Sequence, residues 1–181
     1  MLDKYLKFVT ACFDDVPTSI SVGLLLVFCL GTILLFVFLR WKMGLRWSAR
    51  LLLSEYLILI LLLTVVFRTV KRAGSFSLVP FWSYPIIRAG NRLLLTQAIM
   101  NVVAFIPIGV LPGLSFPQMK WWKTLLIGGA FSVTIEALQF IFQRGFTEFD
   151  DIFHNVLGCL IGYGVYAGIQ SLVRRLPQYR T

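Results

Sequence analysis

Acidic residues are scarce in this chain: eight Asp and Glu stand against 17 Lys and Arg in 181 residues. Charged residues of both signs make up only 14%, hydrophobic ones 58%, and mean hydropathy is +0.82. That composition lies outside the range of soluble domains and excludes an ordinary globular enzyme of the cytosol. Cysteine is equally sparse. Cys29 and Cys159 fall inside apolar runs and Cys12 lies near the start, so no disulfide framework is expected. His154 is the one histidine, and no His or Cys stands at a metal-site spacing from it. Neither a metal nor a cofactor is expected, and His154 reads as a packed or interfacial side chain. Repeats, low-complexity tracts and a small-residue cleavage site are missing too, which argues against a removable signal peptide.

What is present is apolar length. Ile20 to Leu39, "ISVGLLLVFCLGTILLFVFL", carries no charge at all, and about 20 such residues cross a bilayer as a helix. Further spans are read at Leu51 to Phe67, Leu93 to Leu111, Thr124 to Phe142 and Ile152 to Val173, about five in total. The expected fold class is all-α: a polytopic integral membrane helical bundle forming one domain over residues 1–181. In residues 1–19, Leu2, Tyr5, Leu6, Val9, Cys12 and Phe13 share one helical face, which predicts a short interfacial helix before the first span. Spans one and two occupy residues 20–67. Residues 68–92, rich in aromatics, Pro and Gly, are too apolar for an aqueous loop. They are expected to fold back onto the interface or between helices, where irregular backbone is tolerated.

The surplus of +9 would suggest nucleic acid in a soluble chain. Here the basic residues flank apolar spans, so membrane lipids are the expected partners and nucleic acid is not. With the N-terminus outside, nine Lys and Arg fall in the cytoplasm and eight outside. The dense loop "RWKMGLRWSAR" after the first span favours N-out and C-in in a multi-pass cell-membrane protein.

Ionisable residues inside a span are costly and point to function. Glu136 lies in the fourth span with Gln139 one turn later on the same face. In the fifth, Asp151, Asn155, Gly158 and Gly162 recur at helical spacing. The short connection makes these spans antiparallel neighbours whose polar faces can meet, with Arg144 at their mouth. Glu136 lies eight residues from Arg144, about 12 Å along a helix. Asn101 is nine residues past Arg92, about 13 Å in from the same membrane face. The expected binding site is therefore Asn101, Glu136, Gln139, Arg144, Asp150, Asp151 and Asn155, with Arg88 and Arg92 around it. Pro107 is expected to kink the third span. Gly158/Gly162 and Gly164/Gly168 are expected to admit close helix neighbours. Glu55 and Arg50, at the other membrane face, read as a local ion pair.

Three blocks over residues 72–165 carry a family likeness. "FSLVPFWSY" is similar to an Asn-Leu-Ile-Pro-Phe block, and "NVVAFIPIGVLPGL" to Asn-x-x-x-Phe-x-Pro-x-Gly. "SVTIEALQFIFQRGFTEFDDIFHNVLGCLIGY" is similar to Ile-Glu-x-x-Gln, an Arg, then Asp-Asp-x-x-x-Asn-x-x-Gly-x-x-x-Gly. The chain thereby resembles the VanZ-like family of bacterial membrane proteins. It departs at Ser77, where the family tends to have Asn, and at Glu148, where Asp is common. The resemblance implies that Asn101, Glu136, Gln139, Arg144, Asp150, Asp151, Asn155, Gly158 and Gly162 correspond to the family motif. It also implies a Gram-positive cell envelope and low-level resistance to the glycopeptide teicoplanin, without defining a reaction.

Two classes of function follow. The first is binding or translocation of an anionic amphiphile, such as a polyprenyl-linked cell-wall precursor or the lipoglycopeptide, because arginines suit phosphate and carboxylate. The alternative is a membrane-embedded enzyme acting on a lipid-linked phosphate or glycan, for which no partnered nucleophile is evident. An accessory role in an oligomer or larger membrane complex is a third possibility.

Overall fold

Long runs of Leu, Ile, Val and Phe leave a backbone in lipid one economical choice, the helix that satisfies its own hydrogen bonds. The structure is a computed structural model that describes residues 31–32, 44–68, 75–116 and 118–175. The expected interfacial helix lies outside the described residues. So does the first span, apart from residues 31–32, which are helical. The other spans are α1 (Leu45–Leu61, continued by a π-helical turn Leu62–Val66), α3 (Arg92–Ser115), α4 (Trp121–Ile141) and α5 (Phe149–Arg175). All four are long and apolar enough to cross a membrane.

Between α1 and α3 come a three-residue strand β1 (Ser75–Ser77) and a short helix α2 (Tyr84–Arg88). β1 pairs in parallel with β2 (Phe146–Glu148), Ser77 lying opposite Glu148. Residues 75–92 thus pack against the hairpin, and the two strands satisfy each other's backbone at the bundle end. The chain direction puts the end of α1, the start of α3, the end of α4 and the start of α5 at this one end.

Large apolar side chains such as Ile58, Leu126, Val133 and Ile161 are exposed on the bundle's outside. Its inside holds Ser48, Thr124, Ser132, Glu136, Gln139, Asp150 and Asn155. Such an arrangement suits a solvent of hydrocarbon, in which polar groups must find partners within the protein. The tightest seam joins α3 and α5. A Cβ at Gly158 would collide with the Val102 carbonyl oxygen, and one at Gly162 with that of Ile106. Cys159 is fully buried and packs its thiol against Gly128 of α4.

Helix α3 is continuous through Pro107 and Pro112, and the Tyr56 hydroxyl donates to the Ala104 carbonyl at 2.7 Å in this stretch. A Cβ at Gly164 or Gly168 would meet no described atom within 4 Å outside its own helix. One expectation is corrected: Glu55 and Arg50 do not pair. Arg50 donates to the Ser115 carbonyl at 3.2 Å and stacks on Trp47 and Phe116. Glu55 instead turns its carboxyl toward Gly31, with Oε1 3.1 Å from where a Cβ there would stand.

Candidate functional site

The sequence "FQRG" after α4 sets the geometry. Gln143 takes a left-handed φ of 53°, and the Arg144 and Gln143 amides donate to the Gln139 and Phe140 carbonyls at 2.8 and 3.2 Å. This is a Schellman turn, which closes a helix C-terminus and reverses the chain. It aims Arg144 at the end of α1, where the π-helical turn leaves carbonyls without helical donors. The guanidinium donates to the carbonyls of Val65 at 3.3 Å and Arg68 at 3.2 Å, and to that of Val66. Gln139 donates to the Thr64 carbonyl at 2.9 Å. Arg144 and Gln139 therefore fasten α1 to the α4–β2 corner.

Asp150, 1% exposed, fastens the aromatic loop "PFWSY". Its carboxylate accepts from the Phe81 amide at 2.5 Å, the Ser83 amide at 3.2 Å and the Ser83 hydroxyl at 2.5 Å. Phe81 has φ 59°, a conformation unfavourable for a bulky residue and sustained only by such surroundings. Its ring meets Tyr84, Phe149 and Phe153 edge-on. Tyr84 in turn stacks on His154 and lies 3.1 Å from its Nε2, so His154 is packed as the sequence suggested.

Beside this loop is a nest of carboxylates. Glu136, 4% exposed on α4, accepts the Glu148 amide at 3.1 Å. The Trp82 indole donates to Glu148 Oε2 at 3.0 Å. Asp151 accepts from Asn101 Nδ2 at 2.7 Å, joining α5 to α3. One turn deeper, Asn155 donates to the Ser132 hydroxyl at 2.9 Å, so the polar faces of α4 and α5 do meet. The Arg68 guanidinium lies within Coulombic reach of Glu136, Glu148 and Asp151. Its Nη1 is 2.7 Å from where a Cβ would stand at Gly145, whose φ of 121° also favours glycine. Glu148 stands outside the spans. Burial pushes its carboxyl from 4.5 up to about 7, Asp151 adds to the rise, and the Trp82 N–H pulls the other way. Among the described residues no group of three or more His, Cys, Asp and Glu could hold a metal ion.

Of the residues expected at the site, Asn101, Glu136, Asp151 and Asn155 come together at the α3–α4–α5 junction, with Gln139 above Glu136. Asp150 and Arg144 adjoin it but spend their hydrogen bonds elsewhere, Asp150 on the amides of Phe81 and Ser83 and the Ser83 hydroxyl, and Arg144 on the carbonyls at the end of α1. Arg88 and Arg92 are exposed at the same end of the bundle, on α2 and at the start of α3. Sequence reasoning missed Arg68 and Glu148 as parts of the nest. The signal for Arg68 was its position just past the end of α1, at the membrane face where the hairpin emerges. For Glu148 it was the clustering of half the chain's acidic residues between positions 136 and 151.

Spanning helices that bury their ionisable groups together at one end define a polytopic helical membrane protein. The VanZ/LLP1 family profile matches residues 26–173, and the chain belongs to that family. It is similar to Protein VanZ of Enterococcus faecium, 32% identical over 82 residues that make up 45% of this chain and 49% of that protein. The chain thus spans about half the length of the curated relative it matches. No solved structure matches significantly.

Proposed function

We propose that this is a multi-pass cell-membrane protein of the Gram-positive envelope that lowers susceptibility to teicoplanin. It does so by binding or translocating an amphiphile with an anionic group, such as a lipid-linked cell-wall precursor or the lipoglycopeptide. The observation that carries this reading is the convergence of Glu136, Glu148, Asp151 and Arg68 at one end of an otherwise apolar bundle. Intramembrane ionisable groups are costly and mark substrate paths. Exposed Arg88 and Arg92 at the same end suit a phosphate or carboxylate at the interface. With N-out and C-in topology this end faces the cell exterior, where the antibiotic and the exported precursor are met.

The test is teicoplanin susceptibility of a Gram-positive host producing the protein, with Glu136→Gln, Asp151→Asn and Arg68→Gln compared at matched membrane levels. Protection by the wild type that all three variants lose is the expected result. Equal protection by all variants would make the nest structural and refute the reading.

A membrane-embedded enzyme acting on a lipid-linked phosphate or glycan is the second reading. It is favoured by Glu148 titrating near neutrality, where a general acid–base group works best. Product formed from such a lipid and lost in Glu148→Gln would put it first.

A further inference from the structure

The polar end of the bundle has more acceptors than donors. Gln139 can be oriented only one way, because its Nε2 donates to the Thr64 carbonyl at 2.9 Å. Its Oε1 is therefore an acceptor, and it is buried without a partner in a residue only 3% exposed. The amide carbon lies 3.5 Å from the Cβ position of Gly145, which the Arg68 guanidinium also crowds, so the unpartnered oxygen belongs to the same nest. Asn155 Oδ1, one turn below Asp151 in a residue 4% exposed, is unpartnered as well. Buried acceptors left unmet are costly, so a ligand supplying N–H donors is well received here. Positive charge is favoured too, since among the described residues the carboxyl groups of Glu136, Glu148 and Asp151 outnumber the Arg68 guanidinium beside them. The loop that Asp150 and Glu148 fasten exposes Leu78, Val79 and Phe81, an apolar rim suited to acyl chains.

Resting on the amphiphile reading above, we propose that Glu136, Gln139 and Asp151 receive a primary ammonium on the amphiphile's headgroup, while Arg88 and Arg92 meet its acidic part. The ligand class is thus an aminolipid with both charges, rather than a purely anionic lipid.

Native mass spectrometry of the purified protein in nonionic detergent tests this, using an equimolar mixture of phosphatidylethanolamine, phosphatidylcholine and phosphatidylglycerol with identical acyl chains. Phosphatidylcholine keeps the positive charge but has no N–H donor, and phosphatidylglycerol has no cation. Retention of phosphatidylethanolamine about tenfold above both is expected, the ratio lost with a hydrogen bond between charged groups. Glu136→Gln and Asp151→Asn should bring the three lipids to parity. Equal retention of phosphatidylethanolamine and phosphatidylcholine by the wild type would overturn the donor requirement. Preference for phosphatidylglycerol would overturn the ammonium while leaving the amphiphile reading intact. Retention of no lipid above the detergent background would overturn both.

Discussion

The two ends of the α3–α5 contact are built on opposite principles. In the deeper half, Gly109, Gly158 and Gly162 let the helix backbones touch, and Cys159 and Ile108 are fully buried. In the hairpin half the joining is through side chains, with Asn101 of α3 bonded to Asp151 of α5, and Asn155 of α5 bonded to Ser132 of α4. Backbone contact leaves no room for adjustment, whereas polar side chains can exchange partners. The glycine seam therefore acts as a rigid base that fixes the register of α5, and the carboxylate nest is what that register positions. A membrane protein needs such a base, because lipid supplies no hydrophobic force to press its helices together.

The largest effect is expected from breaking the base. Gly158→Leu would drive a side chain into the Val102 carbonyl and Phe105, costing more than about 3 kcal/mol in detergent unfolding experiments. Gly164→Ala, with no described atom nearby, should stay within about 0.5 kcal/mol. If the two variants unfold alike, the contrast between the ends is wrong.

Next comes Asp150→Ala, which leaves the Phe81 and Ser83 donors unmet. A loss of about 3 kcal/mol is expected, with faster hydrogen exchange confined to residues 79–84. Exchange spreading into the glycine seam would indicate that the ends are not separable. Arg144→Met should cost less, about 1–2 kcal/mol, and loosen the Thr64–Arg68 stretch before any other, again read by hydrogen exchange.

The smallest effect sharpens the comparison at the polar end. Glu148 has its carboxyl raised from 4.5 to about 7, so the fold favours its protonated form. The stability this adds is complete below the ordinary value of 4.5 and is lost as pH rises through about 7. Glu136, Asp150, Asp151 and Arg68 surround it. Thermal unfolding between pH 5 and pH 8 should show a smaller decline in Glu148→Gln than in the wild type. An unchanged decline would place the titration elsewhere.

Hydropathy alone determined the all-helical membrane architecture, because a charge-free run of bilayer length has few other stable forms. It located the four described spans, with the widest miss at the start of α1, Leu45 against the expected Leu51, where the helix takes in the basic stretch ahead of the apolar run. Periodicity placed Glu136 and Gln139 on one face and Asp151 and Asn155 on another, since helical geometry is local. It also placed Gly158 and Gly162 together, though it could not separate them from Gly164 and Gly168. What each charge does was decided only in three dimensions. Arg144 could have met an anion, but an α1 end with unmet carbonyls took its donors. Asp150 could have lined the nest, but the backbone of residues 81–83 took its oxygens. Arg68 and Glu148, ordinary in sequence, entered the nest through the Gly145 turn and the β1–β2 pairing. Spacing along one helix is a property of the chain, whereas a hydrogen-bond partner is chosen among groups that only the packing of helices brings within reach.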